Sequence, residues 1–294
     1  MSSIFCIGGA NIDLKLKSSN ALLLHTSNPV YSNSSFGGVA RNVAHNLAKV
    51  TSNVHLQCIV GDDASGRALL EHIGSLGVNT THSLIVKGKR TSQYLAVLDE
   101  SGELFIGLAD MNIYDEIDDE FITAAWSSWS SQSLVFLDTN LPSSVIDLIL
   151  KRAVDLDVKI CIDPVSAEKA KKIPYQLDAV FLLKPDVQEA SILSNMPIRT
   201  VKDCFTAGRK LLKRGAKNIV ISMGNLGYVL VNDTHEIHMP ALEVDSIVDV
   251  SGAGDAFVSG ILLGLQQNKG ILESCTMGAK SAAQTIQSVD TVIC

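Results

Sequence analysis

The chain has 294 residues, with 24 Lys and Arg against 31 Asp and Glu, a formal net charge of −7. Hydrophobic residues make up 46% and charged residues 19%, which excludes general disorder and supplies a large core. The acidic balance disfavours a polynucleotide partner, whose backbone needs a basic surface, while a small anion in a local pocket stays compatible with it. The length suits one large α/β domain, alone or with a small second one.

In chain order, Ser3–Gly8 reads as a buried strand stopped by Gly8-Gly9. Residues 14–35 are less periodic and polar in places. From Val39 to Val50 the apolar residues Val39, Ala40, Val43, Ala44, Leu47 and Ala48 recur at helical spacing, so Gly37-Gly38 precedes a helix N-terminus. Val54–Val60 reads as a second buried strand, followed by a helix over about residues 65–75. Thr91–Asp99, the turn Glu100–Glu103 and Leu104–Leu108 read as a hairpin, which suggests a small sheet set apart from the body.

From about residue 115 the rhythm becomes strand, helix, strand. Strands are expected at Leu134–Leu137, Lys159–Ile162, Ala179–Leu183 and Asn218–Ser222, with a helix over about 143–156 and another after Lys184-Pro185. A hairpin runs to about residue 239, and two helices, roughly 255–267 and 271–287, close the chain. Such units argue for a mostly parallel sheet covered by helices, with its active site at the C-terminal strand ends. Asp13, Asp163, Lys184 and Ser222 are placed at such ends.

The six cysteines, Cys6, Cys58, Cys161, Cys204, Cys275 and Cys294, form no CxxC or Cys/His cluster, and buried free thiols are expected. No run of about 18 apolar residues occurs, so the expectation is a soluble cytoplasmic protein with no membrane partner. The seven histidines are scattered and read as surface or packing residues. A P-loop, a Gly-x-Gly-x-x-Gly after the first strand and an HExxH are all absent.

The sharpest segment is Asp249-Val-Ser-Gly-Ala-Gly-Asp255, ahead of an apolar helix. Gly252 and Gly254 permit a tight turn and leave N–H groups facing outward, an anion nest at a helix N-terminus. Asp255 inside that nest suits a base taking a proton from a hydroxyl, although an N-cap would also place an Asp there. Gly37-Gly38 opens a second close approach, or is simply a turn. Asn11 and Asp13 suit vicinal hydroxyls, and equally suit a solvated turn.

These segments resemble the PfkB-type, ribokinase-like carbohydrate kinases nearly end to end. Gly37-Gly-Val-Ala-Arg-Asn-Val-Ala44 is similar to that family's first signature and Asp249–Asp255 to its last. Lys184-Pro-Asp-Val-Gln-Glu189 resembles its Asn-x-x-Glu element, with Asp186 in place of Asn, and Ser222–Gly227 its nucleotide-binding turn. The resemblance implies a doubly wound α/β body (1–13, 36–83 and 113–294) with a small β-sheet lid (14–35 and 84–112). It implies ATP-dependent transfer to a primary hydroxyl, with Asp255 as base and the N–H groups of Gly252, Ala253 and Gly254 as anion hole. Asn11, Asp13, Gly37, Gly38, Asn42 and Asp163 would hold the acceptor. Lys184, Asp186, Ser222, Gly224 and Gly227 would hold ATP, and Glu189 would act on Mg2+ through water. Asp249 and Ser288 fall where the family often binds a monovalent cation such as K+. Asp255 is expected to act with an ordinary carboxylate basicity, pKa about 4.

For the acceptor, Gly37–Asn42, Thr91–Leu104, Ala109–Ile113 and Ile162–Ala170 are similar to the pseudouridine kinases of this family. That resemblance implies phosphorylation of the 5′-hydroxyl of pseudouridine, with Gln93, Asp110 and Asn112 available to the uracil edge. Two alternatives stand beside it. Lys87, Lys89 and Arg90, with Arg41, would serve a sugar-phosphate kinase, and a non-catalytic sugar or nucleoside binder would share the fold. An exposed lid face would suit a homodimer.

Overall fold

The computed structural model describes residues 2–288. The largest sheet has eight strands in the order β14-β13-β12-β11-β10-β9-β1-β4. These are β1 (Ile4–Ile7), β4 (Val54–Gln57), β9 (Leu134–Asp138), β10 (Lys159–Asp163), β11 (Val180–Leu183), β12 (Asn218–Ser222), β13 (Tyr228–Val231) and β14 (Glu236–Met239). From β4 to β12 all pairings are parallel, and the β12–β13–β14 edge is antiparallel.

Alternation along these strands builds two cores, one on each face of the sheet. Phe5, Ile7, Val135, Leu137, Ile160 and Ile162 join one apolar cluster, while Ile4, Cys6, Leu134, Phe136 and Cys161 join the other. Helices α1 (Val39–Ala48) and α2 (Ala64–Ser75) bury their apolar stripes in the second cluster. On the first face lie the short α3 (Asp119–Thr123), then α4 (Ser143–Leu156), the one-turn α5 (Ala167–Ala170), α6 (Val187–Ser194) and α7 (Val201–Leu212). Helices α8 (Ala253–Gln266) and α9 (Ile271–Thr285) return to the second face, side by side.

A separate four-stranded sheet has the order β3-β2-β7-β8, made of β2 (Asn11–Ser18), β3 (Val30–Gly37), β7 (Gln93–Leu98) and β8 (Leu104–Asp110). The expected hairpin is there, joined to two strands drawn from the stretch that looked aperiodic. Asn11–Asp13 and Phe36-Gly37, assigned from the sequence to the body, are part of this small sheet. Val54–Val60 is not one strand. It breaks at Cys58, and β5 (Ile59–Gly61) pairs with β6 (Leu84–Val86) in a two-stranded sheet of its own. Residues 84–86, assigned to the lid, are therefore held away from it.

Five cysteines are free and buried; Cys294 lies outside the described residues. No described helix is long and apolar enough to cross a membrane.

Candidate active site

The C-terminal ends of β1, β9, β10, β11 and β12 open toward one side of the main sheet, and the polar residues gather there. The β1 end runs through Gly8-Gly9 into β2. Gly38, with φ 97°, turns the chain from β3 into α1 as its N-cap residue and offers no side-chain cap. A Cβ there would lie 2.4 Å from the Gly9 carbonyl oxygen, so only glycine fits. The missing cap comes from Asp138 at the end of β9. Its buried carboxylate accepts the N–H groups of Gly9 at 2.7 Å, Ala40 at 2.9 Å and Asn140 at 2.9 Å. The sequence reading missed Asp138, since its partners lie about a hundred residues away in the chain.

Asp255 occupies the first turn of α8. The helix starts at Gly252, whose φ of 76° is left-handed and needs glycine. Asp255 is therefore not the N-cap residue. Its side chain is buried, and Oδ2 accepts the Asn42 amide at 2.7 Å. Burial pushes its pKa up to about 7, with Asp163 adding to the rise and Asn42 and Lys184 opposing it. That is far from the ordinary basicity expected from sequence. Asn42 Oδ1, also buried, has no hydrogen-bond partner among the described residues. An acceptor hydroxyl donating to it would satisfy it, so the Asn42–Asp255 pair is incomplete as it stands.

Of the three N–H groups expected to form an anion hole, two are open. The Ala253 N–H is drawn back to Val250 O at 3.3 Å. The N–H groups of Gly252 and Gly254 meet no acceptor among the described residues. Lys184 adds charge at the same place, its Nζ lying 3.5 Å from where a Cβ on Gly254 would be.

Lys184 and Asp163 form a buried pair at 2.7 Å, with side-chain exposures of 7% and 6%. The second Asp163 oxygen accepts the Val165 N–H at 2.8 Å. Asp163 is thus turned to Lys184 rather than to the acceptor side. Burial pulls the Lys184 ammonium down, but Asp163, then Glu189 and Asp255, outweigh it and hold the pKa above its ordinary value. Asp186 caps α6: its Oδ1 accepts the Glu189 N–H, and Glu189 Oε2 accepts the Asp186 N–H, both at 2.8 Å. Asp and Asn serve equally well as N-caps, which explains how Asp186 stands in the family's Asn position. Burial, reinforced by Asp163, raises Glu189 to about 7.

Asn11 donates to Asp13 Oδ1 at 2.6 Å, and Gly37 lies against the same carboxylate. Burial raises the Asp13 pKa; Asn11 and Arg41 act against it. Arg41 is itself 3% exposed and donates to Phe36 O and His45, so it faces inward. Strand alternation decides the remaining lid residues. Asp13, Tyr94 and Ala109 stand side by side on one face; Ile12, Gln93 and Asp110 stand on the other. The first face looks into the cleft, because Lys15 on it reaches Asp249 at 3.8 Å. The second is turned away, with Ile12 in the core and Phe36 stacked on His72. Gln93 and Asp110 therefore do not meet Asp13, and Asn112 is exposed, donating to Asp110 at 3.3 Å.

Beyond Ser222, a turn through Gly224 and Gly227 borders an apolar cleft of about 530 Å3, walled by Tyr228, Leu242, Phe257, Ala283 and Ile286. Asp249 is tied to the end of α9, Val248 donating to Ile286 O at 2.8 Å, and Ser288 follows two residues on. Burial raises the Asp249 carboxyl, but the Ser251 bonds and then Lys15 outweigh it and hold its pKa below the usual value.

The sequence pattern of the pfkB family carbohydrate kinases matches residues 1–294. The chain belongs to the PfkB family of carbohydrate kinases. It is 33% identical over 258 residues to the pseudouridine kinase of Escherichia coli K12, covering 88% of this chain and 82% of that one. It is 28% identical over 294 residues to the guanosine-inosine kinase of Exiguobacterium acetylicum, covering 99% and 96%. The Arabidopsis thaliana ribokinase solved with ribose and ATP shares the fold at 20% identity, with a TM-score of 0.86 over 100% of this chain and 96% of that one. A PfkB kinase is an ATP-dependent phosphotransferase, and the fold is ribokinase-like: a mostly parallel sheet covered by helices, with a small separate sheet.

One pH prediction follows from Asp255. A carboxyl whose pKa is raised to about 7 is protonated below that pH and cannot accept a proton, so kcat/KM should fall as pH drops through about 7. Glu189 titrates in the same window and can only steepen the fall. Rates between about pH 5.5 and about pH 8.5 at saturating ATP check this; a profile flat on the acid side would contradict it.

Proposed function

We propose that this kinase transfers the γ-phosphoryl group of ATP to the 5′-hydroxyl of pseudouridine, giving pseudouridine 5′-phosphate and ADP. The observation that carries the transfer is the buried Asp255, held by Asn42 beside the free N–H groups of Gly252 and Gly254. The acceptor rests on local agreement with pseudouridine kinases and on the 33% identity to the E. coli enzyme.

ATP lies along the turn at Ser222–Gly227, its base in the apolar cleft and its phosphates toward Lys184 and the start of α8. The ribose lies between the lid and α1, its hydroxyls on Asn11, Asp13 and Asn42 against the Gly37-Gly38 backbone. The 5′-oxygen bonds to the γ-phosphorus, the bond from that phosphorus to the β–γ bridging oxygen breaks, and the hydroxyl proton passes to Asp255. Lys184 and the N–H groups steady the charge on the transferred oxygens. Lid closure keeps water out.

Magnesium fits this site in one way only. Among the described residues no three His, Cys, Asp or Glu side chains converge on one point. Glu189 would hold the ion through water, with ATP oxygens completing the shell, and the ion would neutralise phosphate charge. A monovalent cation fits less well, because Lys15 already balances Asp249 in part and the Ile286 carbonyl is in use. No step needs it.

A sugar-phosphate acceptor is the weaker reading. Of its proposed cations, Lys89 is paired with Glu116 at 2.6 Å and Arg41 faces inward. Two further parts of the proposal concern surroundings. Ile106 and Leu108, 44% and 50% exposed on the lid face away from the cleft, would be covered by a second copy, which sedimentation would detect as a dimer. Buried free thiols and ATP use suit the reducing cytoplasm.

The test is turnover of magnesium-ATP with pseudouridine, uridine, ribose, fructose and fructose 6-phosphate. Pseudouridine is expected to exceed every other acceptor in kcat/KM by about tenfold or more, the scale set by one buried hydrogen-bonding edge left unpaired. Turnover confined to fructose 6-phosphate would overturn the acceptor and restore Lys87, Lys89 and Arg90 as a phosphate site.

A further inference from the structure

The geometry points to Tyr94 as the lid residue that covers the heterocyclic ring of the acceptor. This rests on the nucleoside reading above. Tyr94 is the cross-strand neighbour of Asp13, on the lid face that looks into the cleft. Proceeding away from Asp13 on that face, the positions are Ala109, Ala96 and Gly107, all small. Phe105 shares this face but lies at the far end of β8, beyond Gly107, so Tyr94 is the large ring beside the acceptor's sugar site, and the small neighbours leave its face free.

Gly107 shows how the ring is seated. A Cβ on Gly107 would lie 2.5 Å from the Tyr94 phenol oxygen and 3.2 Å from Cζ. The ring therefore leans diagonally across β8 into the space that glycine leaves, the reach expected of an aromatic toward a diagonal neighbour. Its hydroxyl makes no hydrogen bond to any described residue. Tyr114, by contrast, is buried, with Ala10 donating to its oxygen at 3.0 Å. Tyr94 is half-buried and has no structural bond to account for a polar aromatic at this point.

With the ribose hydroxyls at Asn11, Asp13 and Asn42, and the reacting end at Asp255, the ring attached at the far side of the sugar comes under the lid. A flat π-face there stacks on a flat base and has nothing equivalent to hold on a free sugar. Gln93 and Asp110, the residues expected from sequence to read the base, lie on the opposite face. Tyr94 takes over that task by stacking.

The experiment compares wild type, Tyr94→Leu, Tyr94→Phe and Gly107→Ala, each as the full chain, with pseudouridine and with ribose at saturating magnesium-ATP. Tyr94→Leu should raise KM for pseudouridine by about tenfold or more and KM for ribose by less than about threefold, the scale of a lost base–aromatic stack. Tyr94→Phe should stay within about threefold of wild type on both. Gly107→Ala, which displaces the ring without removing it, should weaken pseudouridine selectively and keeps the test open if Tyr94→Leu fails to fold. Equal losses on both acceptors, or a Phe variant as impaired as Leu, would overturn the assignment while leaving the nucleoside reading intact. A wild-type enzyme that turns over ribose but no nucleoside would instead overturn that reading itself, and the ring assignment with it.

Discussion

Asp255→Asn is expected to lower turnover by about 100-fold or more, the scale of a lost general base, while binding of ATP and acceptor stays near normal. The substitution keeps size and shape, and the new carbonyl oxygen can still accept the Asn42 amide that Asp255 accepts at 2.7 Å. What it removes is the group able to take the hydroxyl proton. It also removes the raised carboxylate, so the acid limb near pH 7 should become shallower in the residual activity, with Glu189 left to titrate there. Steady-state rates with calorimetric binding of each substrate check both points. Near-normal turnover would show that Asp255 is not the base, and a large loss of acceptor affinity would show that it holds ground state rather than transition state.

Lys184→Met is expected to cost about 3–5 kcal/mol of stability as well as activity, because it strands a buried carboxylate. Asp163 and Lys184 are both nearly inaccessible and 2.7 Å apart, so neither has water to replace a lost partner. The deficit should be larger at pH 8 than at pH 5, since Asp255 and Glu189, both raised to about 7, are charged only at the higher pH and there lose their attraction to Lys184 as well. Denaturant unfolding of both proteins at the two pH values measures it. A variant as stable as wild type would mean that the pair contributes nothing net. Activity should fall even where the variant is folded, because in the proposed mechanism the ammonium beside Gly254 also steadies the transferred phosphoryl group.

The parallel body was legible because its strands are short apolar runs with polar residues at their ends. The helix over Ser143–Leu156 and the strand Asn218–Ser222 lie where periodicity puts them. The glycine-rich start of α8, with Asp255 inside it, was equally legible, since few other arrangements place two glycines and an Asp before an apolar helix. The small sheet was half hidden. Strand β3 carries Ser32, Asn33, Ser34 and Ser35, is mostly exposed and edges its sheet, so no alternation marks it. The break at Cys58 was hidden for the opposite reason, since a continuous apolar run does not say where it changes partner.

The lid residues show a subtler limit. That Gln93 and Tyr94 face opposite ways is plain from any strand. Which of them faces the acceptor depends on pairing with Asp13, eighty residues earlier, and only the sheet register reveals it. Asp138 is a similar case: one carboxylate at the end of an apolar strand looks like a turn residue until Gly9 and Ala40 are seen donating to it.

Phosphorus and proton NMR of the product formed from ATP, magnesium and pseudouridine tests the central claim most directly. The expected product carries phosphate on the 5′-oxygen alone, appearing in step with ADP. ADP without a phosphorylated nucleoside, or phosphate on any other oxygen, would contradict the placement of the acceptor hydroxyl against Asp255.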